Sequence, residues 1–351
     1  MTGDEIKNIR LREMVRPLKT TFSTSLGRKD HMRSVIVETM LQDGSKGVGE
    51  CATSFVLPHE SADAIKSILN EERPRLTGRK IGDFSFIIQA LRKKYPRYPM
   101  TISGLEIALF RAWLQSAGKE ERTWFGGALR QITTDITVPF TTDRGVLGAW
   151  TAYTAKQGFT TYKIKVSGNA ADDEWIISSV VSMLARQPGA FTLRLDGNQG
   201  FSAPAFLAFT DHIKKKGYPV ELFEQPLKKD DHQGLREVSR RSHIPVILDE
   251  TVFTVHDMEL AVEEGLGHGV NIKTAKSGVG ESLVILDLAK KHGFKLMIGC
   301  MTETMTGLSA GINLALGTGA FDYIDLDSIF FLNHRKKQGS LEITGPAYNV
   351  R

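Results

Sequence analysis

An alternation of short apolar strands and amphipathic helical segments, spanning residues 132–327, constrains the fold more than any other feature of the sequence. A strand-like run recurs about every 25–30 residues, with turn residues between the runs. Eight runs are present: DITVPF, TYKIKV, FTLRLDG, VELFEQP, PVILDE, GVNIKT, KLMIGC and YIDLD. Parallel strands need helical crossovers, so the pattern predicts an α/β barrel. An open doubly wound sheet is the alternative, although no G-x-G-x-x-G follows the first strand.

The N-terminal part of the chain has a different order, with strands before helices. IKNIRLREMVR and SVIVETMLQDG are typical of strands, and the second continues through a turn at Asp43–Gly44 as a predicted hairpin. Ser61 and Ser103 are predicted N-caps of two helices. The sequence therefore predicts three parts: residues 1–125, a small α+β domain; residues 126–327, the barrel; and residues 328–351, a C-terminal segment that returns toward the first domain.

Composition narrows the class of protein. The chain has 351 residues, of which 41% are hydrophobic and 24% charged, as in a globular protein. Its net charge of +5 comes from scattered residues, and no basic run with interleaved aromatics indicates nucleic-acid binding. Cys51 and Cys300 are too few for a disulfide framework. The sequence shows neither a signal peptide nor an apolar run of membrane length, so we expect a cytoplasmic protein.

Charged residues follow the apolar part of most predicted barrel strands. In such barrels the catalytic groups lie at the carboxyl ends of the strands. Each charge alone has an ordinary explanation, because an acid there often caps the next helix and a lysine is often solvated. The separations from Lys165 through the next four charged positions are 31, 28, 25 and 24 residues, close to one strand–helix unit each. In strand order, the charged residues are Lys163 and Lys165, Asp196, Glu224, Asp249, Lys273, and Asp325 with Asp327.

Two lysines on one strand indicate how these charges work together. Side chains alternate between the faces of a strand, so Lys163 and Lys165 point one way and their apolar neighbours the other. If the apolar residues pack against helices, both lysines point into the barrel. Burial and neighbouring positive charge lower a lysine pKa, which favours Lys165 as a base and Lys163 as a partner for an anionic oxygen.

Three carboxylates on adjacent strands predict a metal site. Asp196, Glu224 and Asp249 would repel one another without a compensating charge. Carboxylate ligands without Cys or His favour Mg²⁺, with Mn²⁺ as the second choice. Lysines then flank the metal on both sides.

The motifs that carry these residues resemble those of the enolase superfamily, in its muconate-lactonizing subgroup. That family has a (β/α)7β modified TIM barrel with an N-terminal α+β capping domain. The resemblance covers nearly the whole chain, and Val279 departs from it, where a second glycine is common. The matching motifs are Lys163-Ile164-Lys165, Asp196-Gly197-Asn198, Glu224-Gln225-Pro226, Asp249-Glu250 and Lys273-Thr274-Ala275-Lys276-Ser277-Gly278.

The resemblance implies an isomerase that removes a proton α to a carboxylate. It makes Asp196, Glu224 and Asp249 the Mg²⁺ ligands, and Lys165 and Lys273 the acid–base pair on opposite faces of the α-carbon. Lys276 is the competing base, but its odd spacing from Lys273 argues against it. Residues expected beside the ligands are Asn198, Gln225 and Glu250.

The eighth strand indicates the substrate. Asp325 and Asp327 share a face, and in dipeptide epimerases a D-x-D at this point binds the substrate α-ammonium group. The capping-domain loop FSTSLGRKDHMR is basic, and Arg28 within it suits an acidic side chain, so L-Ala-D/L-Glu is the first choice of substrate. A homo-oligomer is possible for this family.

Other functions remain open from the sequence. A hydrophobic dipeptide is an alternative substrate within the same activity. A cycloisomerase or o-succinylbenzoate synthase is an alternative within the superfamily. A Schiff-base lyase would use a strand-end lysine but would not need three carboxylates. A non-catalytic metal-binding protein would bind Mg²⁺ without exchanging substrate protons.

Overall fold

The N-terminal domain combines one antiparallel sheet with three helices. The computed structural model describes residues 3–333 and 337–351. The sheet has the order β1-β2-β3, and the helices pack against it through a shared apolar core. The elements are β1 (Ile6–Thr24), β2 (Gly27–Leu41), β3 (Lys46–Ala52), α1 (Ala62–Leu76), α2 (Phe84–Lys94) and α3 (Pro99–Ser116).

The helix starts in this domain test the capping predictions. The Ser61 hydroxyl accepts a hydrogen bond from the Ala64 N–H at 3.2 Å, so the predicted cap of α1 is confirmed. The predicted cap at Ser103 is wrong, because α3 begins at Pro99. Proline suits the first turn of a helix, where its missing N–H is not needed. Ser103 therefore lies inside α3, where its hydroxyl is 2.7 Å from the Pro99 carbonyl and 3.0 Å from the Lys276 carbonyl, and its one proton serves either acceptor.

The barrel consists of eight parallel strands with seven intervening helices. A short helix, α4 (Glu121–Trp124), and strand β4 (Gln131–Thr133) precede it. The barrel strands are β5 (Ile136–Val138), β6 (Thr161–Lys165), β7 (Thr192–Asp196), β8 (Val220–Glu224), β9 (Val246–Leu248), β10 (Gly269–Ile272), β11 (Lys295–Gly299) and β12 (Tyr323–Asp325). The helices are α5 (Arg144–Lys156), α6 (Ala170–Leu184), α7 (Ala203–Lys216), α8 (His232–Arg241), α9 (Val255–Glu264), α10 (Thr274–Lys291) and α11 (Met305–Thr318).

The strand order confirms the predicted (β/α)7β barrel. The strands pair in sequence order from β5 to β12. The first and last strands approach each other, since the Asp135 N–H donates to the Ile324 carbonyl at 3.2 Å. On β6 the apolar residues point outward, since Tyr162 and Ile164 are buried in the large core between strands and helices. Lys163 and Lys165 therefore point into the barrel.

The C-terminal segment contributes to the barrel side of the molecule. Its strands are β13 (Lys337–Gln338), β14 (Leu341–Thr344) and β15 (Ala347–Val350), and β15 pairs with β4. Side chains of β14 and β15 pack in the barrel core. The sequence instead predicts that this segment returns toward the capping domain. Phe331 does contact the capping domain, with its ring 5.5 Å from that of Phe22. The division of the chain at residues 125 and 327 stays a prediction.

Over the described residues, none of the helices combines the length and the apolar character that crossing a membrane requires.

Candidate active site

A pocket lies where the capping domain covers the carboxyl ends of the barrel strands. From the barrel it is lined by Lys163, Lys165, Asn198, Asp249, Glu250, Lys273, Asp325 and Asp327, which the sequence had singled out. Phe22, Lys29 and Phe55 line it from the capping domain. Glu224 and Asp196 lie just below this surface, fully buried and in contact with the lysines. The structure thus brings together the predicted residues of six strands.

The strand register sets the order of the predicted metal ligands. Lys165, Asp196 and Glu224 are successive register partners on β6, β7 and β8. Asp249 directly follows β9 and is also buried. Parallel strands present equivalent positions at the same height, so the three carboxylates form one row across the barrel mouth.

Lysine ammonium groups provide the countercharge for these carboxylates. The Lys163 ammonium lies 3.2 Å from Glu224 Oε2 and 3.8 Å from Asp196 Oδ2, and it also contacts Asp325. Lys165 contacts Asp196 directly. On the far side, the Lys273 ammonium lies 2.6 Å from Asp249 Oδ2 and 3.8 Å from Glu224 Oε1. Each predicted ligand therefore contacts at least one cation.

The lysine–carboxylate pairs shift the pKa values of the groups in the site. Burial raises the pKa of Glu224, but Lys163 and Lys273 outweigh it and lower that pKa to about 2. Burial and Glu224 raise the pKa of Asp196 to about 6. Burial lowers the pKa of Lys163, whereas the carboxylates around it raise that pKa well above its ordinary value. In this structure both lysines face carboxylates, and the role of Lys163 in assisting Lys165 as a base stays a prediction.

The residues fit a hard divalent cation. Three buried carboxylates offer oxygen ligands only, the set that Mg²⁺ prefers. They already hold ammonium groups at hydrogen-bond distance, so positive charge is accommodated at this point. Two more buried oxygens beside them, Asn198 Oδ1 and Glu250 Oε2, have no hydrogen-bond partner.

Hydrogen bonds to Gln225 and Asn198 fix the segments that carry two of the three carboxylates. Gln225 Oε1 accepts the Asp249 N–H at 2.9 Å, and Asp196 Oδ1 accepts the Asn198 N–H at 2.9 Å. The Asn198 side-chain amide donates to Glu250 at 3.2 Å. Asn198, Gln225 and Glu250 therefore lie close to the predicted ligands, and their supporting role stays a prediction. Burial and Asp249 raise the pKa of Glu250 to about 8.

Two residues contact the predicted ligands in ways that the sequence did not predict. The Asn271 amide donates to Glu224 Oε1 at 2.7 Å. Asn271 stands two residues before Lys273 on the same face of β10, and this spacing is the signal that could have identified it. The Lys276 ammonium donates to Asp249 Oδ1 at 2.7 Å and to the Asp249 carbonyl at 2.6 Å. Lys276 is fully buried and, unlike Lys273, is not part of the pocket lining.

A second group of carboxylates lies at the junction of the first and last strands. Oxygens of Asp135, Asp325 and Asp327 lie within 4.8 Å of one another, the one such trio among the described residues. The Asp327 carboxylate accepts the Thr137 N–H at 2.6 Å, and Asp325 Oδ1 has no hydrogen-bond partner. The sequence did not single out Asp135, which does not line the pocket.

The tip of the capping-domain sheet reaches over the pocket. The predicted loop is a hairpin in which Phe22 pairs with Lys29 and Ser23 with Arg28. Alternate residues face opposite ways, so Lys29 lines the pocket, whereas Arg28 lines a neighbouring cavity with Pro139 and Phe140. The prediction that Arg28 contacts substrate remains untested, and Lys29 is the basic hairpin residue that lines this pocket.

The whole molecule resembles proteins of known structure and activity. Residues 147–351 match the family model described as Enolase C-terminal domain-like. The L-Ala-D/L-Glu epimerase of Thermotoga maritima is 32% identical over 340 residues, covering 97% of this chain and 95% of that protein. The structure of a substrate-liganded complex of the Bacillus subtilis L-Ala-D/L-Glu epimerase superposes with a TM-score of 0.91 at 28% identity, covering 99% of this chain and 96% of that one.

A further similar structure contains a metal and a substrate. The dipeptide epimerase from Enterococcus faecalis, complexed with Mg and the dipeptide L-Leu-L-Tyr, superposes with a TM-score of 0.89 at 26% identity, covering 99% of this chain and 97% of that one. The family match extends over more than half of the chain, and the Thermotoga protein is similar over nearly the whole of it. The chain therefore belongs to the enolase superfamily, in the muconate-lactonizing subgroup that includes the dipeptide epimerases.

Proposed function

We propose that this chain is a Mg²⁺-dependent dipeptide epimerase. The observation that carries the proposal is the position of Lys165 and Lys273 in one pocket. They lie at the carboxyl ends of the second and sixth strands of an eight-stranded barrel, with three strands between them on either side. A substrate between them presents one face of its α-carbon to each lysine. Inversion at that carbon needs one group to take the proton and another to return it from the opposite side.

Asp196, Glu224 and Asp249 are the metal ligands in this proposal. When bound there, Mg²⁺ supplies positive charge beside the substrate carboxylate, where negative charge develops as the α-proton leaves. Mn²⁺ is a possible substitute, because it accepts the same oxygen ligands. Relatives with bound Mg and dipeptide support this assignment.

The D-x-D of the eighth strand orients the substrate. Asp325 and Asp327 line the pocket, and Asp325 Oδ1 is a buried acceptor without a hydrogen-bond partner. An α-ammonium group supplies the missing donors and compensates the negative charge. Muconate-type and succinylbenzoate-type substrates have no ammonium group, so this subsite favours a dipeptide.

Lys29 favours an acidic side chain on the residue that is epimerised. Its ammonium lies 5.4 Å from the Phe55 ring centroid and 5.9 Å from that of Phe22, and within the described part of the chain no carboxylate approaches it within 4.0 Å. Loss of solvent lowers the pKa of Lys29 to about 8. A substrate carboxylate would stabilise its charged form. L-Ala-D/L-Glu is therefore the first proposed substrate.

A hydrophobic dipeptide is the second candidate, favoured by a different observation. Apolar side chains surround Lys29 and make up much of the remaining wall of the pocket. They bind an aliphatic or aromatic side chain through burial of apolar surface. The residues concerned are Phe22, Leu26, Phe55, Val56, Met301 and Phe331.

The proposed activity is tested by incubating L-Ala-L-Glu with the protein and Mg²⁺ and measuring L-Ala-D-Glu by chiral chromatography. We expect the product to form, EDTA to stop its formation and added Mg²⁺ to restore it. Asp249→Asn should lose the response to Mg²⁺, whereas Asp322→Asn, a carboxylate at the opposite end of the barrel, should keep it. Activity that survives EDTA and is trapped by borohydride would contradict the proposal and favour a Schiff-base lyase.

Exchanging Lys29 for methionine should change substrate preference. A hydrogen bond to a charged group contributes about 1.5–3 kcal/mol, so kcat/KM for L-Ala-L-Glu should fall by roughly 10- to 100-fold. For L-Ala-L-Leu it should be unchanged or higher. Arg28→Met is the matched control, because Arg28 is the adjacent hairpin cation and lines another cavity. A larger effect from Arg28→Met than from Lys29→Met would restore the assignment made from the sequence.

A further inference from the structure

We propose that Arg92, Ser103 and Glu106 of the capping domain are positioning residues for Lys273. The inference rests on the proposed function, because it concerns one member of the acid–base pair. It also gives the helices of the capping domain a role beyond covering the substrate.

The segment after Lys273 cannot hold its own shape as a regular helix. Helix α10 is interrupted at Gly278, whose φ of 69° and ψ of −162° suit only glycine. Residues 274–277 therefore form a single isolated turn, in which the Lys276 and Ser277 N–H groups bond back to the Lys273 carbonyl. A turn of this length is not stable alone, so its contacts must fix it.

Two side chains of the capping domain bind this turn directly, and a third binds the backbone just after the break at Gly278. The Ser103 hydroxyl contacts the Lys276 carbonyl at 3.0 Å, and Arg92 Nη2 donates to the Ser277 carbonyl at 2.6 Å. Glu106 Oε1 accepts the Gly280 N–H at 2.7 Å, and Glu106 Oε2 pairs with Arg92 at 2.8 Å. Together they bind the polar groups that the break at Gly278 leaves outside regular helical pairing.

The backbone at Gly278 lies so close to Glu106 and Arg92 that no side chain would fit between them. A Cβ at Gly278 would lie 2.0 Å from Glu106 Oε2 and 2.6 Å from Arg92 Nη2. Ser103 and Glu106 are buried, so solvent does not replace the bonds they make. Moving this turn would move the backbone of Lys273, and with it the ammonium that faces Asp249.

The second base is held differently, and this difference makes the inference testable. Lys165 is itself a residue of β6 and is the register partner of Asp196 on β7, whereas Lys273 lies one residue beyond the end of β10. A substitution that removes the capping-domain contact should therefore displace Lys273 and leave Lys165 in place. Since about 1 Å of misplacement can cost 10²-fold in rate, the effect should be roughly 10- to 100-fold on one face of the substrate.

The experiment compares α-hydrogen exchange of L-Ala-L-Glu and L-Ala-D-Glu in D₂O with Mg²⁺, followed by NMR. Lys273→Ala first identifies the epimer whose exchange depends on Lys273. In Glu106→Gln and Ser103→Ala, kcat for exchange of that same epimer should fall, with KM nearly unchanged and the other epimer little affected. Arg111→Met is the control, because Arg111 joins the same helix to Thr306 and Ser309 rather than to the Lys273 turn.

The outcomes separate the two proposals. If the wild-type protein exchanges neither epimer, L-Ala-D/L-Glu is not its substrate, and the same comparison is made with L-Ala-L-Leu and L-Ala-D-Leu. Exchange of neither dipeptide would refute the proposed function. The positioning role would be overturned if the wild type exchanges both epimers and Glu106→Gln lowers the two exchange rates equally. It would also be overturned if Glu106→Gln lowers neither rate. A substrate-free measurement tests it as well: amide hydrogen exchange of peptides covering residues 274–282 should be faster in Glu106→Gln than in Arg111→Met. Unchanged protection there would also overturn it.

Discussion

Replacing either Lys165 or Lys273 by alanine is expected to lower kcat for epimerisation by about 10²- to 10⁴-fold, the usual contribution of a general acid or base. Each variant should still exchange the α-hydrogen of one epimer with solvent, and the surviving epimer should differ between the two. The reason is geometric, since the lysines lie on opposite strands of the barrel and each reaches one face of the α-carbon. NMR of both epimers in D₂O with Mg²⁺ measures this directly.

Controls separate this effect from general damage to the protein. Lys295→Ala removes an exposed lysine at the amino end of β11 and should leave both exchange rates unchanged. Each alanine variant should still bind Mg²⁺ in calorimetry, because the three proposed ligands remain. Loss of exchange at both epimers in both variants would contradict a two-base mechanism, and full exchange in Lys273→Ala would remove Lys273 from it.

Replacing Arg194 by methionine is expected to destabilise the fold by about 3–5 kcal/mol, the cost of leaving a buried charge without its partner. The Arg194 guanidinium lies inside the barrel, 2.7 Å from Asp135 Oδ2 and 2.6 Å from Glu221 Oε1. Burial and the nearby Asp325 raise the pKa of Asp135, and the Arg194 guanidinium opposes this rise by stabilising the ionised carboxylate. Without the guanidinium, the carboxylates at the closure of the barrel repel one another. Urea unfolding at constant m-value measures the loss.

The double variant Arg194→Met with Asp135→Asn tests whether the buried charge is the cause. Removing both partners should recover part of the lost stability, since the uncompensated carboxylate is then absent. Arg241→Met is a surface control, because the Arg241–Glu237 pair is solvent-exposed and should contribute less than about 1 kcal/mol. A loss below about 1 kcal/mol in Arg194→Met would show that the barrel interior compensates Asp135 by other means.

The barrel and its charged rim could be predicted because both are local properties of the sequence. Each strand is a short apolar run, and most of the charged residues follow such a run directly, as Asp249 follows VIL. Equivalent positions on parallel strands meet at one edge. Strand order alone therefore predicts that the charged residues from Lys163 to Lys273 lie together, as they do in the structure.

Features that depend on strand register or on contacts between domains could not be predicted in this way. Lys29 rather than Arg28 lines the pocket because of the register of the β1–β2 hairpin, which the loop sequence alone does not reveal. The sequence predicts that Ser103 caps a helix, yet Ser103 lies within α3 and contacts the Lys276 carbonyl of the barrel. The pairing of Arg194 with Asp135 requires that the first strand closes against the last.

The central claim is that an α-proton is removed on one face of a dipeptide and returned on the other by a second lysine. The most direct test follows the conversion of L-Ala-L-Glu to L-Ala-D-Glu by the wild-type protein in D₂O with Mg²⁺, with mass spectrometry of both epimers at low conversion. Newly formed L-Ala-D-Glu is expected to carry one deuterium, because the returning lysine has equilibrated with solvent. Product without deuterium, which requires the same proton to be returned, would contradict it.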